Sequence, residues 1–187
     1  MVKLDKIYTK GGDNGKTSLG NGKRVNKFNK RIVAVGSLEE LNAHIGICLN
    51  ECDNVYKRLF TDIQNDLFDM GADLIMPFNR EKKALRITSI HISKIENKID
   101  KINDTLPTLK SFILPGGSLL SSRLHLARTV CRRCEINIIK LNYKTPVNKN
   151  ILKYINRLSD LLFVIAREIN TREDKEILWK PGKNIVR

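Results

Sequence analysis

Five stretches of the chain place apolar residues at alternating spacings of three and four, and no stretch alternates every second residue over a useful length. The first period belongs to one face of a helix, the second to a strand. Leu38, Leu41, Ile45 and Leu49 mark the first helix, with Ser37 and Glu40 spaced as a capping box at its start. Leu59, Ile63, Leu67, Met70 and Leu74 mark a second, ending before Pro77. A polar connection, FNREKK, follows, and Ile92, Ile95, Ile99 and Ile102 then form a bundle seam within a helix from Ser89 to Asn103. Leu106-Pro107 stops it. The fourth helix runs from about Ser118 to Leu141 and the fifth from about Asn150 to Asn170. Connections this short favour antiparallel neighbours. The expectation is one all-α domain over residues 1–187: a glycine-rich arm (1–36), a five-helix antiparallel bundle (37–170) and an irregular tail (171–187) holding Trp179, Pro181 and Gly182.

The segment FILPGGSLLSSRLHLARTVCRRCE, Phe112 to Glu135, carries the densest chemistry. A Pro-Gly-Gly break feeds the fourth helix. At about 100° per residue, His125, Arg128, Arg132 and Glu135 fall within roughly a quarter-turn of one another. Arginine is costly to bury unpaired, and its fork fits phosphate or carboxylate oxygens. The stripe therefore suits an anion or a charged partner. An intrahelical Arg132–Glu135 pair would satisfy two of the four and leave Arg128 and His125 without a role. Arg123 and Arg133 point elsewhere and are expected to be solvated.

The arm segment TKGGDNGKTSL, Thr9 to Leu19, offers open backbone amides, hydroxyls and cations, which is what a polyphosphate needs. It is not a P-loop. That motif wants four residues between its first glycine and the Gly-Lys pair, and Gly11 to Gly15 leaves three, with no buried strand before it. A plain surface turn rich in glycine and lysine reads the same way from composition alone. On the fifth helix Asn156, Asp160, Phe163 and Arg167 share a polar face, which suggests a cleft against the Arg128–Arg132 stripe. Phe112, just before the rigid break, is either a wedge at that cleft or a plug for the bundle end.

Charge is lopsided, with 34 Lys and Arg against 20 Asp and Glu, a net +14. That favours a polyanionic ligand without choosing one. A basic nucleic-acid module is the rival reading, but aromatic content is 6% and no nucleic-acid motif appears. No apolar run approaches the roughly 18 residues of a membrane span, and the first residues lack the apolar stretch of a secretory signal; the expectation is a cytoplasmic protein. The two cysteine pairs, Cys48 with Cys52 and Cys131 with Cys134, lie on apolar helix faces, so they read as small core residues rather than a zinc knuckle. No metal-ligand set is expected from the protein.

Taken in order, Lys6–Leu19, Gly22–Lys27, Gly36–Gly46, Phe112–Glu135 and Tyr154–Arg167 resemble the PduO-type ATP:cob(I)alamin adenosyltransferases. The resemblance spans nearly the whole chain. It implies a homotrimer with active sites between subunits. It implies that Thr9, Lys10, Gly12, Asp13, Gly15, Thr17 and Ser18 wrap the triphosphate of ATP, and that Lys27, Arg132, Glu135 and Asn156 complete the nucleotide site. Arg128 would pair across the interface with Glu39, where the family usually has Asp; Gly11 stands where Thr is common. Phe112, joined by Phe163, would line the corrinoid side and displace the lower base of cobalamin.

The implied reaction transfers the 5′-deoxyadenosyl group of ATP to the cobalt of cob(I)alamin, releasing triphosphate. The hard chemistry is the cofactor's, and the protein supplies position and charge, with Mg2+ on the leaving group. The implied partners are ATP, cob(I)alamin or its cob(II)alamin precursor, a reductase and an adenosylcobalamin-dependent acceptor enzyme, with no nucleic acid and no membrane. A non-catalytic ATP-binding regulator on the same fold is a second rival.

Overall fold

The structure is a computed structural model that describes residues 7–78 and 84–184. Lys6, where the arm motif begins, and most of the polar connection, residues 79–83, lie outside the described residues. Two short strands, β1 (Lys16–Ser18) and β2 (Arg24–Asn26), precede five helices. These are α1 (Lys30–Glu51), α2 (Asn54–Ile75), α3 (Ser89–Asn103), α4 (Leu119–Asn142) and α5 (Lys149–Arg172). In the bundle α2 packs on α1, α1 on α4, α4 on α5 and α5 on α3. The fully buried Tyr154 of α5 reaches across to α2, its hydroxyl donating to Asp66 Oδ2 at 2.8 Å.

Side-chain caps set the helix starts. Asn29 accepts from Arg31 N at 3.0 Å, Asp53 from Val55 N at 3.1 Å, Ser118 from Ser121 N at 3.3 Å and Asn148 from Asn150 N at 3.1 Å. Each satisfies an amide that the helix itself leaves open. Leu38, Leu41, Ile45, Phe60, Leu67, Leu124, Ile138, Ile155 and Leu162 close the core, each worth about 1.5–3 kcal/mol of transfer free energy.

Four points of the sequence reading are corrected or completed. The first helix starts at Lys30, not Ser37. Ser37 lies inside it, its Oγ donating to Ala34 O at 2.8 Å and to Cys134 Sγ at 3.4 Å. The capping-box spacing is coincidental, because Asn29 already caps the amides. The bundle therefore runs beyond residues 37–170 at both ends. Second, α2 begins five residues before its first seam residue, Leu59, with Asp53 as cap.

Third, the arm contains an antiparallel ribbon pairing Lys16 with Asn26, Thr17 with Val25 and Ser18 with Arg24. Strands of three residues are too short for a period of two to show. Fourth, α1 is long and apolar enough to cross a membrane by length and composition alone. Here Ala34, Leu38, Leu41, Ile45 and Cys48 of that helix are buried in the bundle, and Glu39, Glu40 and His44 interrupt its apolar surface.

All four cysteines are free and buried. Burial pushes the Cys48 thiol up to about 12 and the Cys134 thiol up to about 11, so they stay protonated and pack as small apolar groups.

Candidate active site

The arm turns through backbone geometry rather than packing. Lys10 takes the left-handed conformation at φ 57°, and Gly15 follows at φ 70°. Asp13 N donates to Lys10 O at 3.3 Å and Gly15 N to Gly12 O at 3.1 Å. These bonds commit the Asp13 and Gly15 amides to the loop's own turns, so contacts to an anion fall to the remaining amides, hydroxyls and lysines of the arm. Lys27 N donates to Gly15 O at 2.9 Å, and the Lys27 side chain lies over Gly12 so closely that a Cβ there would meet its Nζ at 3.1 Å. Gly12, Gly15 and Lys27 are thus brought together, with Thr9, Lys10 and Asp13 exposed on the same loop.

Arg24, which lies in the Gly22–Lys27 motif but has no role assigned there by the resemblance, holds this loop. Its guanidinium donates to the carbonyls of Gly11 and Lys16 and to Ser18 Oγ, the last at 3.3 Å. The ribbon docks on the end of α2, where Gly20 N donates to Ile75 O at 3.2 Å. A side chain at residue 20 would strike Met76 Sδ at 2.5 Å.

The α4 stripe grades from inside to outside. His125 is buried, with neither ring nitrogen hydrogen-bonded, and sits edge-on to Phe163 at 6.3 Å. Burial foremost, then Arg128, lowers its pKa, with Glu176 opposing. Arg128 is half-buried, its Nε without a partner and its guanidinium 5.8 Å from the centre of the Phe163 ring. Desolvation and then Arg132 lower its pKa from the ordinary arginine value. Arg132 is exposed and makes no hydrogen bond or ion pair to any described residue. Glu135 accepts from Asn156 Nδ2 at 3.0 Å, so it pairs across to α5 rather than back to Arg132.

Between α4, α5 and the loop before α4 lies a cavity of about 640 Å³. Phe112, Arg128, Arg132, Asp160, Phe163 and Trp179 line it. Burial raises the Asp160 carboxyl, against the pull of Arg157, Arg132 and Arg128. A second cavity of about 770 Å³ opens between α1, α2 and the ribbon, with Thr17, Ser18, Glu39 and Phe68 on its walls. Within one protomer Glu39 and Arg128 therefore belong to different cavities.

Three expected roles change with the structure. Arg167 is not part of the cleft: it is buried, ion-paired with Glu176 at 3.1 Å and bonded to Pro107 O at 2.9 Å. Arg123 and Arg133 are not merely solvated, since they bind Glu51 and Glu40 of α1, each at 2.6 Å. Asn170 carries no functional signal in the sequence. Its buried amide donates to Gly116 O at 2.9 Å and accepts from Ser118 N at 3.1 Å, fixing the turn between Phe112 and α4. A Cβ on Gly117, at φ 93°, would overlap Asn170 Oδ1 at 2.2 Å. The Pro-Gly-Gly sequence signalled that a turn was there; nothing signalled its distant partner.

These parts define a class: a helical bundle with a turn-built, lysine-bearing arm and an aromatic-walled cavity in which two arginines stand near Asp160 without a hydrogen-bonded ion pair. Residues 7–169 match the family description of cobalamin adenosyltransferases. A corrinoid adenosyltransferase of Mycobacterium leprae is 46% identical over 190 residues, covering 97% of this chain and 98% of that protein. One from Bacillus subtilis is 40% identical, covering 89% and 88%. A solved variant of the PduO-type ATP:corrinoid adenosyltransferase from Lactobacillus reuteri, complexed with cobalamin and ATP, is 36% identical with a TM-score of 0.89, covering 94% of this chain and 99% of that one. The chain belongs to the cobalamin adenosyltransferase family.

Proposed function

We propose that this protein transfers the 5′-deoxyadenosyl group of ATP to the cobalt of a corrinoid. The observation that carries the reading is the cavity in which Phe112 and Phe163 face the unpaired Arg128 and Arg132, in a chain of this family. The corrinoid substrate enters as cobalt(I), whose electron pair forms the bond to C5′ of ATP. The C5′–O bond breaks, triphosphate leaves with that bond's electrons, and the cobalt ends as cobalt(III). No side-chain nucleophile is needed.

The arm's task is positional. Thr9, Lys10, Gly12, Asp13, Gly15, Thr17, Ser18 and Lys27 would hold the triphosphate, and Arg132, Glu135 and Asn156 would complete the nucleotide site. Charge grows on the leaving oxygen, and a fixed cation such as Arg132 lowers that barrier. Phe112, on the wall of the cavity, would present an apolar ring to the corrinoid and so favour loss of the cobalt's lower ligand. Among the described residues no three His, Cys, Asp or Glu side chains converge as a metal cage. Magnesium bound on phosphates needs only one or two protein oxygens, and exposed Asp13 on the arm turn is the donor that fits.

The α1–α2 cavity, with the exposed Phe68 on its wall, supports a homotrimer in which a neighbour's α4 face covers it and Arg128 meets Glu39. A cytoplasmic location, a reductase that delivers cobalt(I) and an acceptor enzyme for the product go with this reading.

The test is spectral. Incubation with ATP, Mg2+ and chemically reduced cobalamin should give the alkylcobalt absorption and one triphosphate per product. Binding of ATP without product would leave a regulator. Salt-sensitive nucleic-acid binding without ATP dependence would favour the basic-module reading.

A further inference from the structure

The chain beyond α5 has no apolar period, yet the fold uses it. It turns back at Asp174, which is left-handed at φ 52°, and Lys175 N donates to Asn170 O at 2.8 Å. Residues 176–179 then run antiparallel to the loop before α4, with Ile113 opposite Leu178. Leu114 N donates to Ile177 O at 2.9 Å and Trp179 N to Phe112 O at 2.7 Å. Ser111 Oγ donates to Trp179 O at 2.7 Å. The ladder is rooted in the bundle by Arg167, only 4% exposed, which grips Glu176 on one side and the Pro107 carbonyl on the other. A guanidinium buried this deeply keeps its partners in place, because losing either strands a charge.

Phe112 is 78% exposed, so bundle packing does not fix its ring. Among the described residues Trp179 is the aromatic that meets it, at 6.0 Å between centroids and 53° between planes. That is a preferred tilted aromatic geometry. Both rings line the cavity that holds Arg128 and Arg132.

We infer that Trp179 is a positioning residue for Phe112: the tail ladder fixes the Phe112 backbone, and the indole sets the angle at which its ring enters the corrinoid cavity. The inference rests on the adenosyltransferase reading of that cavity. If Phe112 displaces the cobalt's lower ligand, the indole controls how completely it does so. Arg132 lines the same cavity, but among the described residues the hydrogen bonds of Trp179 go to Phe112 and Ser111, so ATP affinity depends little on the indole.

The experiment compares the full-length wild type with W179A, W179F, F112A and the W179A/F112A double variant. Three quantities are read: calorimetric affinity for MgATP, the fraction of cob(II)alamin whose lower ligand is displaced (by electron paramagnetic resonance), and product formation started from cob(II)alamin with reductant or from pre-reduced cob(I)alamin. W179A should lower the displaced fraction and the cob(II)alamin-started rate by about fivefold to tenfold, the scale of a lost aromatic contact. MgATP affinity should stay within about twofold, and W179F should recover most of the loss. In the F112A background, W179A should add less than about twofold, because a residue acting through another gives non-additive losses.

An unchanged displaced fraction in W179A overturns the inference, as does full additivity in the double variant. Should W179A unfold early on heating, S111A carries the test. S111A removes only the hydroxyl bond to the Trp179 carbonyl and should lower the displaced fraction by about twofold; an unchanged displaced fraction in S111A then overturns it. A wild type that makes no alkylcobalt product even from cob(I)alamin sinks the enzymatic reading itself, whereas an active wild type with an indifferent Trp179 sinks only this step.

Discussion

The arm and the α4–α5 face hold their polar groups by different means. The face uses burial: His125 is sealed in, Arg128 is half-sealed and Glu135 is paired to Asn156. Their positions follow from apolar neighbours that anchor the same helices. The arm is mostly exposed, and its shape comes from left-handed residues, reverse turns and the Arg24 guanidinium spanning three acceptors. A face built by packing is rigid and resists change through stability. An arm built by turns has little packing to lose, and changes there should appear in ligand affinity first.

The largest effect separates function from fold within the face. Arg132→Ala should lower turnover by about 100-fold or more, the scale of removing one donor aimed at developing charge, with melting near wild type because Arg132 contacts no partner. Arg123→Ala removes the ion pair with Glu51 and should leave turnover within about twofold, since surface pairs contribute about 1 kcal/mol or less. Comparable losses in a steady-state assay would dissolve the distinction.

A matched pair of glycines comes next. Gly117→Ala puts a methyl group into Asn170 at a positive φ and should cost about 2 kcal/mol or more in denaturant unfolding, strain and overlap combined. Gly22→Ala in the arm has a positive φ but open space around it, and should cost about 1 kcal/mol. Equal costs would mean that the turn before α4 is no better packed than the arm. Smaller again, Arg24→Ala should raise the KM for ATP about tenfold, the equivalent of one or two net hydrogen bonds, without moving the melting temperature. A fall in Tm with unchanged KM would show that the arm belongs to the cooperative fold.

The same contrast explains what could be read from the sequence. Helix identity was legible because Ile92, Ile95 and Ile102, and the matching rows on α4 and α5, repeat where burial demands it. The α4 stripe was legible because arginines on one face have no core use. Boundaries were less so: Lys30 to Gly36 is helical without an apolar period, and only its cap, Asn29, marks the start. Asn170 and the Arg167–Glu176 pair left no local trace, and Arg24 stood in the Gly22–Lys27 motif with nothing to show its role. Each acts on residues far along the chain or across a turn, and a side chain that hydrogen-bonds at long range looks in sequence like any surface polar residue. Trp179 stood out as the chain's single tryptophan, but its meeting with Phe112 depends on a ladder between segments more than 60 residues apart, as the 2.7 Å Ser111–Trp179 bond shows.

The smallest effect tests burial on the face through pH. His125 is 4% exposed with no hydrogen-bond partner, and desolvation, reinforced by Arg128 and opposed by Glu176, depresses its pKa. The folded imidazole therefore stays neutral to lower pH than the same residue in the unfolded chain. Stability from this group is fully present above the ordinary histidine value of about 6.5. It is lost as pH falls below that value, because the unfolded state takes up the proton first. Between pH 7.5 and 5.5 the wild type should lose on the order of 1 kcal/mol from this site, about 3 °C in Tm for a chain of this size. His125→Leu should flatten that part of the curve while leaving the arm's response to Arg24→Ala untouched. An identical acid slope in the two proteins would mean that His125 titrates as freely as an arm residue, and the division between a packed face and a turn-built arm would fail at its deepest point.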